Sequence, residues 1–381
     1  MAGTVSLDRL RELAAFRVEQ GCAISLYLGF DPSTSATAPA AHVKFNSLLG
    51  EAQKSAFATR GELTHDQKLG LQSDFERIRE FLTEEFDRSG VHGVAIFAAG
   101  LDNFWSVNPL SETVPDDARV GPDFYVAPLV PLLGRGNGAI VALIDRERGL
   151  LFVLQNGRLE PLADLTEEAP SRHDQGGWSQ GRFQRHIDEL VREHLRTVAE
   201  DLDKQLRNGI ARHVVVIGPD EARSDFEGLL SHDAKSAVVG MTPGEGYASP
   251  SELLELALPF IEQARLAEET EILERWAAEA GRNGRAAAGW EQTLESASDG
   301  RVEVLLFQTG IKREAYQCPK CGRAQAVGGA CPLDGTNMEP RDDGIDLAIH
   351  RTLAHGGDVH ALPRERPELE PAEGIAALLR F

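Results

Sequence analysis

The chain has 381 residues, 42% of them hydrophobic, and a formal net charge of −21. This size and apolar content suffice for two or three domains, and the acidic excess argues against a protein that coats DNA or RNA. No apolar run approaches the roughly 18 residues of a membrane span, and the start lacks a signal-peptide pattern. With only four cysteines, three of them clustered, we expect a cytoplasmic protein with no membrane or DNA partner.

The first third of the chain alternates apolar patterns of helical period with short continuous apolar runs. Helices are predicted at 6–20, 43–60 and 66–88, strands at 22–29 and 91–98, and a closing apolar run at 124–133. We therefore expect an N-terminal α/β domain over residues 1–133. The glycine-rich joint at 134–138 lacks the Lys-Ser/Thr ending of a phosphate-binding loop, so it is interpreted as a linker, and no organic cofactor is predicted.

The middle of the chain begins with two apolar runs, 139–144 and 150–154, which predict a hairpin that 158–161 continues. Strands predicted at 213–218 and 237–240 then alternate with helices at 220–230 and 249–269. Alternation of this kind predicts a mostly parallel sheet. These elements define a middle domain at 138–268.

The last part of the chain is a further α/β segment, predicted as a C-terminal domain over residues 269–381. Its helices are expected at 269–282, 289–300 and 346–356, and its strands at 302–307 and 359–362, with a terminal apolar segment at 374–381.

Residues 316–340 of this domain form a zinc-ribbon-like insertion. Cys318 and Cys321 make one hook, and Cys331 and Asp334 make a second hook with a carboxylate in place of the fourth thiolate. Two such hooks supply the four ligands of a tetrahedral zinc site, which an oxygen ligand weakens without preventing. Structural zinc and a knuckle that has lost its metal both stay open. Catalytic zinc is not expected, because no histidine or activating glutamate accompanies the cysteines.

The middle domain is organised around the transition at residue 180. Residues 171–181 are polar and glycine-dotted, which predicts a loop, and apolar residues then recur at steps of three and four, which predicts a long amphipathic helix. These residues are Phe183, Ile187, Leu190, Val191 and Leu195. A flexible tip is therefore expected on the first turn of the helix.

The tip has the sequence Gly-Gly-Trp-Ser-Gln at 176–180, with Arg-Phe at 182–183. It resembles the Gly-Gly-Gln loop of the archaeal and eukaryotic class-1 peptide release factors. It is closer still to the Gly-Ser-Gln loop of the release-factor-like peptidyl-tRNA hydrolases that clear stalled ribosomes. The segments 302–307 and 374–381 are similar to the third domain of the release factors. The resemblance spans about 138–381 and implies a three-domain release-factor-like architecture.

This resemblance implies a factor that enters the ribosomal A site and hydrolyses the ester of peptidyl-tRNA at the peptidyl transferase centre. A site built of RNA needs from the protein only an oriented water and a donor for developing negative charge, both of which Gln180 can supply. The implied loop-shaping residues are Ser179, Gly177 and Gly176, and the implied tRNA-binding residues are Trp178, Arg182 and Arg185. A translational GTPase stays open as a delivering partner.

Two departures from the family pattern bear on these implications. Aligned on Gln180, the two family glycines fall on Trp178 and Ser179, and the glycine pair lies two residues early. The codon-reading Asn-Ile-Lys-Ser signature is absent from the corresponding place, where residues 39–46 read Pro-Ala-Ala-His-Val-Lys-Phe-Asn. We therefore expect a role in rescue or quality control rather than stop-codon reading.

Three alternatives to the hydrolase stay open. A non-catalytic, hibernation-type factor could occupy the ribosome without any need of the glutamine. A serine hydrolase is suggested by Gly-x-Ser-x-Gly at 177–181, with Ser179 as the nucleophile, although polar residues stand where that motif needs a buried strand. The tip could also be an ordinary mobile loop without chemistry.

Overall fold

The computed structural model of the protein describes residues 5–30, 38–59, 63–87, 91–110, 112–133, 138–155, 157–166, 180–363 and 366–381. The described residues form a mixed α/β structure, which confirms the predicted fold class. They divide into two compact units, residues 1–133 with 271–381, and residues 134–270. Whether the first and last segments also fold separately stays a prediction, and with it the three-domain division.

The N-terminal part of the first unit is an antiparallel sheet with helices. Its elements are α1 (Leu7–Ala15), β1 (Ala23–Gly29), α2 (Ala38–Thr59), α3 (His65–Glu80), β2 (Gly93–Ala99), β3 (Phe104–Leu110) and β4 (Asp117–Gly121). The strands lie in the order β3-β2-β1-β4. Ile24, Leu26 and Leu28 of β1 pack in a cluster with α2 and α3, whereas Ala23 and Tyr27 belong to a second cluster. Both faces of β1 are thus covered, which explains its continuous apolar run.

The second unit contains a five-stranded sheet in the order β7-β6-β5-β8-β9. Its elements are β5 (Ala139–Ile144), β6 (Gly149–Gln155), β7 (Arg158–Asp164), α4 (Gln180–Arg207), β8 (His213–Ile217), α5 (Asp220–Leu229), α6 (His232–Ala237), β9 (Val238–Thr242) and the first part of α7 (Pro250–Gly281). Strands β5, β8 and β9 are parallel, but β6 pairs antiparallel with both β5 and β7. The predicted hairpin of β5 and β6 is therefore confirmed, whereas the prediction of a mostly parallel sheet holds only for β5, β8 and β9, because short hairpin turns can join only antiparallel neighbours.

The C-terminal part of the first unit contains a sheet of parallel and antiparallel strands, with two helices between the strands in sequence. Its elements are β10 (Ala286–Ala288), α8 (Gly289–Ser298), β11 (Val302–Gln308), β12 (Ala315–Gln317), β13 (Ala324–Gln325), β14 (Glu339–Arg341), α9 (Gly344–Ala354), β15 (Asp358–Leu362) and β16 (Ile375–Leu379). The main strands lie in the order β10-β16-β11-β15, and β12, β13 and β14 form a small separate sheet. Buried residues of this part share one hydrophobic cluster with buried residues of the N-terminal part.

Helix α7 is one continuous helix where the sequence predicted two that meet at residue 269. Arg265 and Glu269 form an ion pair across one turn, and Glu269 is almost fully buried. The chain thus continues in helical form because no glycine or proline breaks it there. Among the described residues, no helix has both the length and the apolar content needed to cross a bilayer.

Candidate functional site

Helix α4 begins at residue 180, at the predicted boundary between tip and helix, and runs for 28 residues. The tip residues Gly176, Gly177, Trp178 and Ser179 lie outside the described residues, and so do the side chains of Gln180, Arg182 and Arg185. Strand β7 ends at Asp164, and the segment 167–179 between it and α4 is likewise outside the described part. The roles assigned to these residues stay predictions.

Among the described side chains of α4, which begin at residue 186, the first buried one lies about four turns into the helix. His194, Leu195, Val198 and Leu202 are at most 2% exposed, and the three apolar ones pack in one cluster with β5, β6, β8 and α5. From 186 to 193, by contrast, each side chain is exposed or half-buried. The C-terminal half of α4 is therefore part of the hydrophobic core of its unit, and the half-buried Val191 packs against it.

Two contacts show which part of α4 lies next to the start of β6. Gly149, the first residue of β6, lies so close to α4 that a Cβ there would be 2.3 Å from Val198 Cγ2. Arg146, in the turn before β6, makes a 3.6 Å ion pair with Asp188. Gln180 precedes Asp188 by eight residues (188 − 180). At 1.5 Å per residue, the first residue of α4 lies about 12 Å along the helix beyond this ion pair.

A cation–π pair of Arg148 and Tyr247 lies at the edge of the sheet where β5, β8 and β9 end. The Arg148 guanidinium lies over the Tyr247 ring, 4.2 Å from its centroid, and its Nη1 donates a 2.6 Å hydrogen bond to the carbonyl oxygen of Gly246. Tyr247 is nevertheless 84% exposed. The sequence analysis singled out neither residue. The signal that could have found them is an aromatic side chain in the loop 243–249, whose glycine and proline content predicts no local burial.

The cysteine knuckle consists of two hooks with the same backbone hydrogen bonds. The N–H of Cys318 donates to the carbonyl oxygen of Arg323 (2.8 Å), and the N–H of Gly322 donates back to that of Cys318 (2.9 Å). The second hook repeats both bonds at Cys331, each at 2.8 Å. Gly322 and Gly335 have φ of 74° and 73°, a left-handed conformation that glycine adopts without strain. The repeated Cys-Pro-x-Cys/Asp-Gly pattern therefore produces two similar turns.

The hooks bring the four predicted ligands together. Ligand atoms of Cys318, Cys321, Cys331 and Asp334 all lie within 4.8 Å of one another. The Sγ atoms of Cys321 and Cys331 are 3.6 Å apart, and the Asp334 carboxylate oxygens are 3.6 and 3.7 Å from Cys318 Sγ. Tetrahedral Zn–S bonds of about 2.3 Å place two sulfurs about 3.8 Å apart. The residues present therefore fit a metal ion of this kind, and the cluster could hold one.

The acidities of these groups differ within the knuckle. Burial raises the pKa of Cys318, but backbone N–H groups of its own hook donate to the sulfur and bring the net pKa below the ordinary thiol value. At Cys321 the N–H of Arg323 lowers the pKa, but burial and the sulfurs of Cys318 and Cys331 raise it to about 11 overall. A backbone N–H of the second hook lowers the pKa of Asp334. The Cys318 thiol is thus more acidic than the Cys321 thiol.

Comparisons with known proteins match the chain to release factors. The family described as bacterial archaeo-eukaryotic release factor family 10 matches residues 125–262. Peptide chain release factor subunit 1 of Archaeoglobus fulgidus is 29% identical over 282 residues, 68% of this chain and 69% of that protein. The protein of the same name from Pyrococcus abyssi is 22% identical over 335 residues, 82% of this chain and 78% of that protein. For the Methanopyrus kandleri protein, also 29% identical, the match spans about half of each chain, 55% and 53%.

Solved structures of related name also align with the chain. The crystal structure of an archaeal translation termination factor, aRF1, covers 99% of both chains at 17% identity with a TM-score of 0.28. That of Archaeoglobus fulgidus Pelota covers 100% of this chain and 94% of the other at 15% identity with a TM-score of 0.34. The family match and the sequence relatives agree with each other and with the tip motif, and together they support the class-1 peptide release factor superfamily of the archaeal and eukaryotic type as the group that this chain resembles.

Proposed function

We propose that this chain is a ribosome-associated peptidyl-tRNA hydrolase that acts in rescue or quality control in the cytoplasm. The observation that carries the proposal is the family match over residues 125–262, which includes both the tip and α4. In the relatives named above, the printed function is peptide chain release. Hydrolysis of the peptidyl-tRNA ester in the A site is the reaction that such a function requires.

In the proposed mechanism, Gln180 orients a water molecule toward the ester carbonyl, and its backbone N–H stabilises the leaving oxygen. Positioning and preorganised donors supply the rate enhancement, since ribosomal RNA provides the remaining surroundings. Ser179, Gly177 and Gly176 shape the loop, while Trp178, Arg182 and Arg185 contact the tRNA end. A translational GTPase is the proposed class of delivering partner.

The position of α4 supports this mechanism. A residue that acts inside a ribosomal cavity must be carried beyond the body of its own domain. The start of α4 lies about 12 Å along the helix from the ion pair between Arg146 and Asp188. Its first described side chains, 186–193, are exposed or half-buried, as expected for an arm that enters another molecule.

Rescue is favoured over codon reading by residues 39–46, which lie in the first part of α2. This segment lacks the codon-reading signature, and its lysine, Lys44, forms an ion pair with another residue of the same chain. Lys44 Nζ lies 2.5 Å from the Asp116 carboxylate, which also accepts the N–H of Gly29 at 2.8 Å. An intramolecular ion pair reduces the availability of this lysine for RNA.

A non-catalytic ribosome-binding factor is the second candidate. It is favoured by Trp178 and Ser179, which stand where the catalytic family has glycines. A residue other than glycine at these two positions restricts the backbone conformations that the loop can adopt.

Peptide release from stalled ribosome–nascent chain complexes tests the hydrolase proposal. The wild-type protein should release peptide, and Gln180→Ala should lower the rate by about 10²–10³ while ribosome binding is kept. Ribosome binding without release by either protein would establish the non-catalytic factor instead. A fluorophosphonate probe should leave Ser179 unlabelled, whereas labelling would support the serine hydrolase.

The knuckle is proposed to hold structural zinc. Its four donors fit tetrahedral geometry, and the bound ion would link the two turns.

A further inference from the structure

We propose that Arg148 and Tyr247 form a stacking platform for an unpaired nucleobase of RNA. The platform lies at the sheet edge where β5 and β9 end and adds an RNA contact separate from the tip. This inference rests on the proposed ribosome-associated function, but it does not require that the protein hydrolyse anything.

The Tyr247 ring is held in solvent by defined contacts. Arg148 lies 4.2 Å from the ring centroid on one side, and its hydrogen bond to Gly246 ties the guanidinium to the residue before the tyrosine. The ring keeps 84% of its surface exposed in spite of this contact. An aromatic side chain that is both exposed and oriented is prepared to stack on a planar partner.

The loop that carries Tyr247 is fixed at both ends. At its start, Gly244 packs so closely on β8 that a Cβ there would lie 2.2 Å from Ile217 Cγ2. At its end, Ser249 begins α7 with a capping pair: its N–H donates to Glu252 Oε2 at 2.8 Å and its hydroxyl to the same oxygen at 2.7 Å. Because the loop is ordered before binding, the protein loses little conformational entropy when a ligand stacks on Tyr247.

The turn between β5 and β6 joins this platform to α4. Within that turn, Arg148 contacts Tyr247 and Arg146 pairs with Asp188 of α4. The first residue of α4 lies about 12 Å further along the helix, which is about the length of three to four stacked nucleotides at 3.4 Å each. The pair at Tyr247 and the contact with α4 thus belong to the same turn.

The chemistry of the pair favours a nucleobase. Unpaired bases stack on aromatic rings and on arginine guanidinium planes, and this stacking tolerates any base sequence. It also needs little net positive charge, which suits a chain with a net charge of −21. The bases available at such a site belong to the acceptor end of tRNA or to ribosomal RNA.

Ribosome affinity tests the platform. All variants are made in the full chain with Gln180→Ala, so that binding is measured without turnover. Tyr247→Ala should weaken binding to ribosomes about tenfold, the effect of losing one stacked base. Tyr247→Phe keeps the ring and should stay within about twofold of the parent. Leu258→Ala removes another partly exposed apolar side chain, 40% exposed on α7, as the matched control and should have no effect. Equal affinity of Tyr247→Ala and its parent would overturn the platform.

Cross-linking identifies the partner. The photoreactive p-benzoylphenylalanine is placed at position 247 and irradiated on ribosomes with and without tRNA in the A site. Cross-links to tRNA or to ribosomal RNA support the inference and tell the two sources apart, whereas cross-links to ribosomal protein alone overturn it. If binding depends on Tyr247 but wild-type protein releases no peptide, the proposed hydrolase fails while the platform stands. If peptide is released but Tyr247→Ala binds normally, the reverse holds.

Discussion

The imidazole Nε2 of His350 lies 3.4 Å from the carboxylate of Asp346, one turn earlier on α9, and both side chains are buried. The two ring nitrogens also lie 2.9 Å and 2.8 Å from the carbonyl oxygens of Ala14 and Phe124. Asp346 accepts the N–H groups of residues 126 and 127 at 2.8 and 3.0 Å. One turn of α9 thus binds three places in the N-terminal segment, and a ring that faces two carbonyl oxygens is best satisfied when doubly protonated.

This pair predicts a pH-dependent stability. Burial lowers the pKa of His350, but the Asp346 carboxylate raises it to a net value above 6.5. Burial raises the pKa of Asp346, but His350 and the backbone N–H groups bring it below 3.8. The contribution of His350 to the free energy of unfolding is complete below pH 6.5 and is lost as pH rises through its folded pKa. The contribution of Asp346 is complete above pH 3.8 and is lost as pH falls through its folded pKa.

His350→Gln should therefore lower the free energy of unfolding by about 3 kcal/mol near pH 5.5, and this deficit should shrink toward pH 9, because the wild-type imidazole loses its charge as pH rises through its folded pKa. Urea unfolding at both pH values measures the difference. His232→Gln, at an exposed position on α6, is the control and should show no such trend. A His350→Gln deficit that grows with pH contradicts the assignment.

Two glycines of the second unit, one closely packed against α4 and one in open space on α5, predict opposite effects of substitution by alanine. Gly149→Ala forces a Cβ to within 2.3 Å of Val198 Cγ2 and should destabilise the second unit by about 1–3 kcal/mol. Gly228, inside α5, has open space where a Cβ would lie, so Gly228→Ala should stabilise by about 0.5–1 kcal/mol through helix propensity. Thermal unfolding of both variants measures the contrast, which equal shifts of the same sign would contradict.

The knuckle predicts a metal-dependent stability. Protein purified without chelator should contain about one zinc per chain, and removal of zinc should lower the melting temperature. Asp334→Cys should hold zinc more tightly, because thiolate replaces the weaker oxygen ligand. Asp342→Cys, which adds a thiol at an exposed position outside the hooks, should leave the affinity unchanged. Zinc-free protein from a chelator-free preparation defeats the proposal.

Local pattern was enough to predict some of these features and not others. Strands β1, β5 and β8 were predictable because their apolar runs are continuous, and the hooks because ligand spacing within a turn is a local property. The union of the first and last segments was not predictable. It depends on polar residues such as Asp346, whose bonded partner at Val126 is 220 positions away. Arg148 and Tyr247 are likewise 99 positions apart (247 − 148), so neither suggests the other in the sequence.

The tip itself predicts the outcome of restoring a family residue. Ser179→Gly places glycine directly before Gln180, as in the Gly-Gly-Gln loop, and should keep peptide release within about threefold of wild type because Ser179 only shapes the loop. If Ser179 were a nucleophile, the same change would lower hydrolysis by about 10⁴-fold or more. Single-turnover release on stalled ribosomes measures the rate, with Gln180→Ala from the same preparation as the inactive reference. If Ser179→Gly were inactive and Gln180→Ala active, the catalytic group would be the Ser179 hydroxyl and not the Gln180 amide.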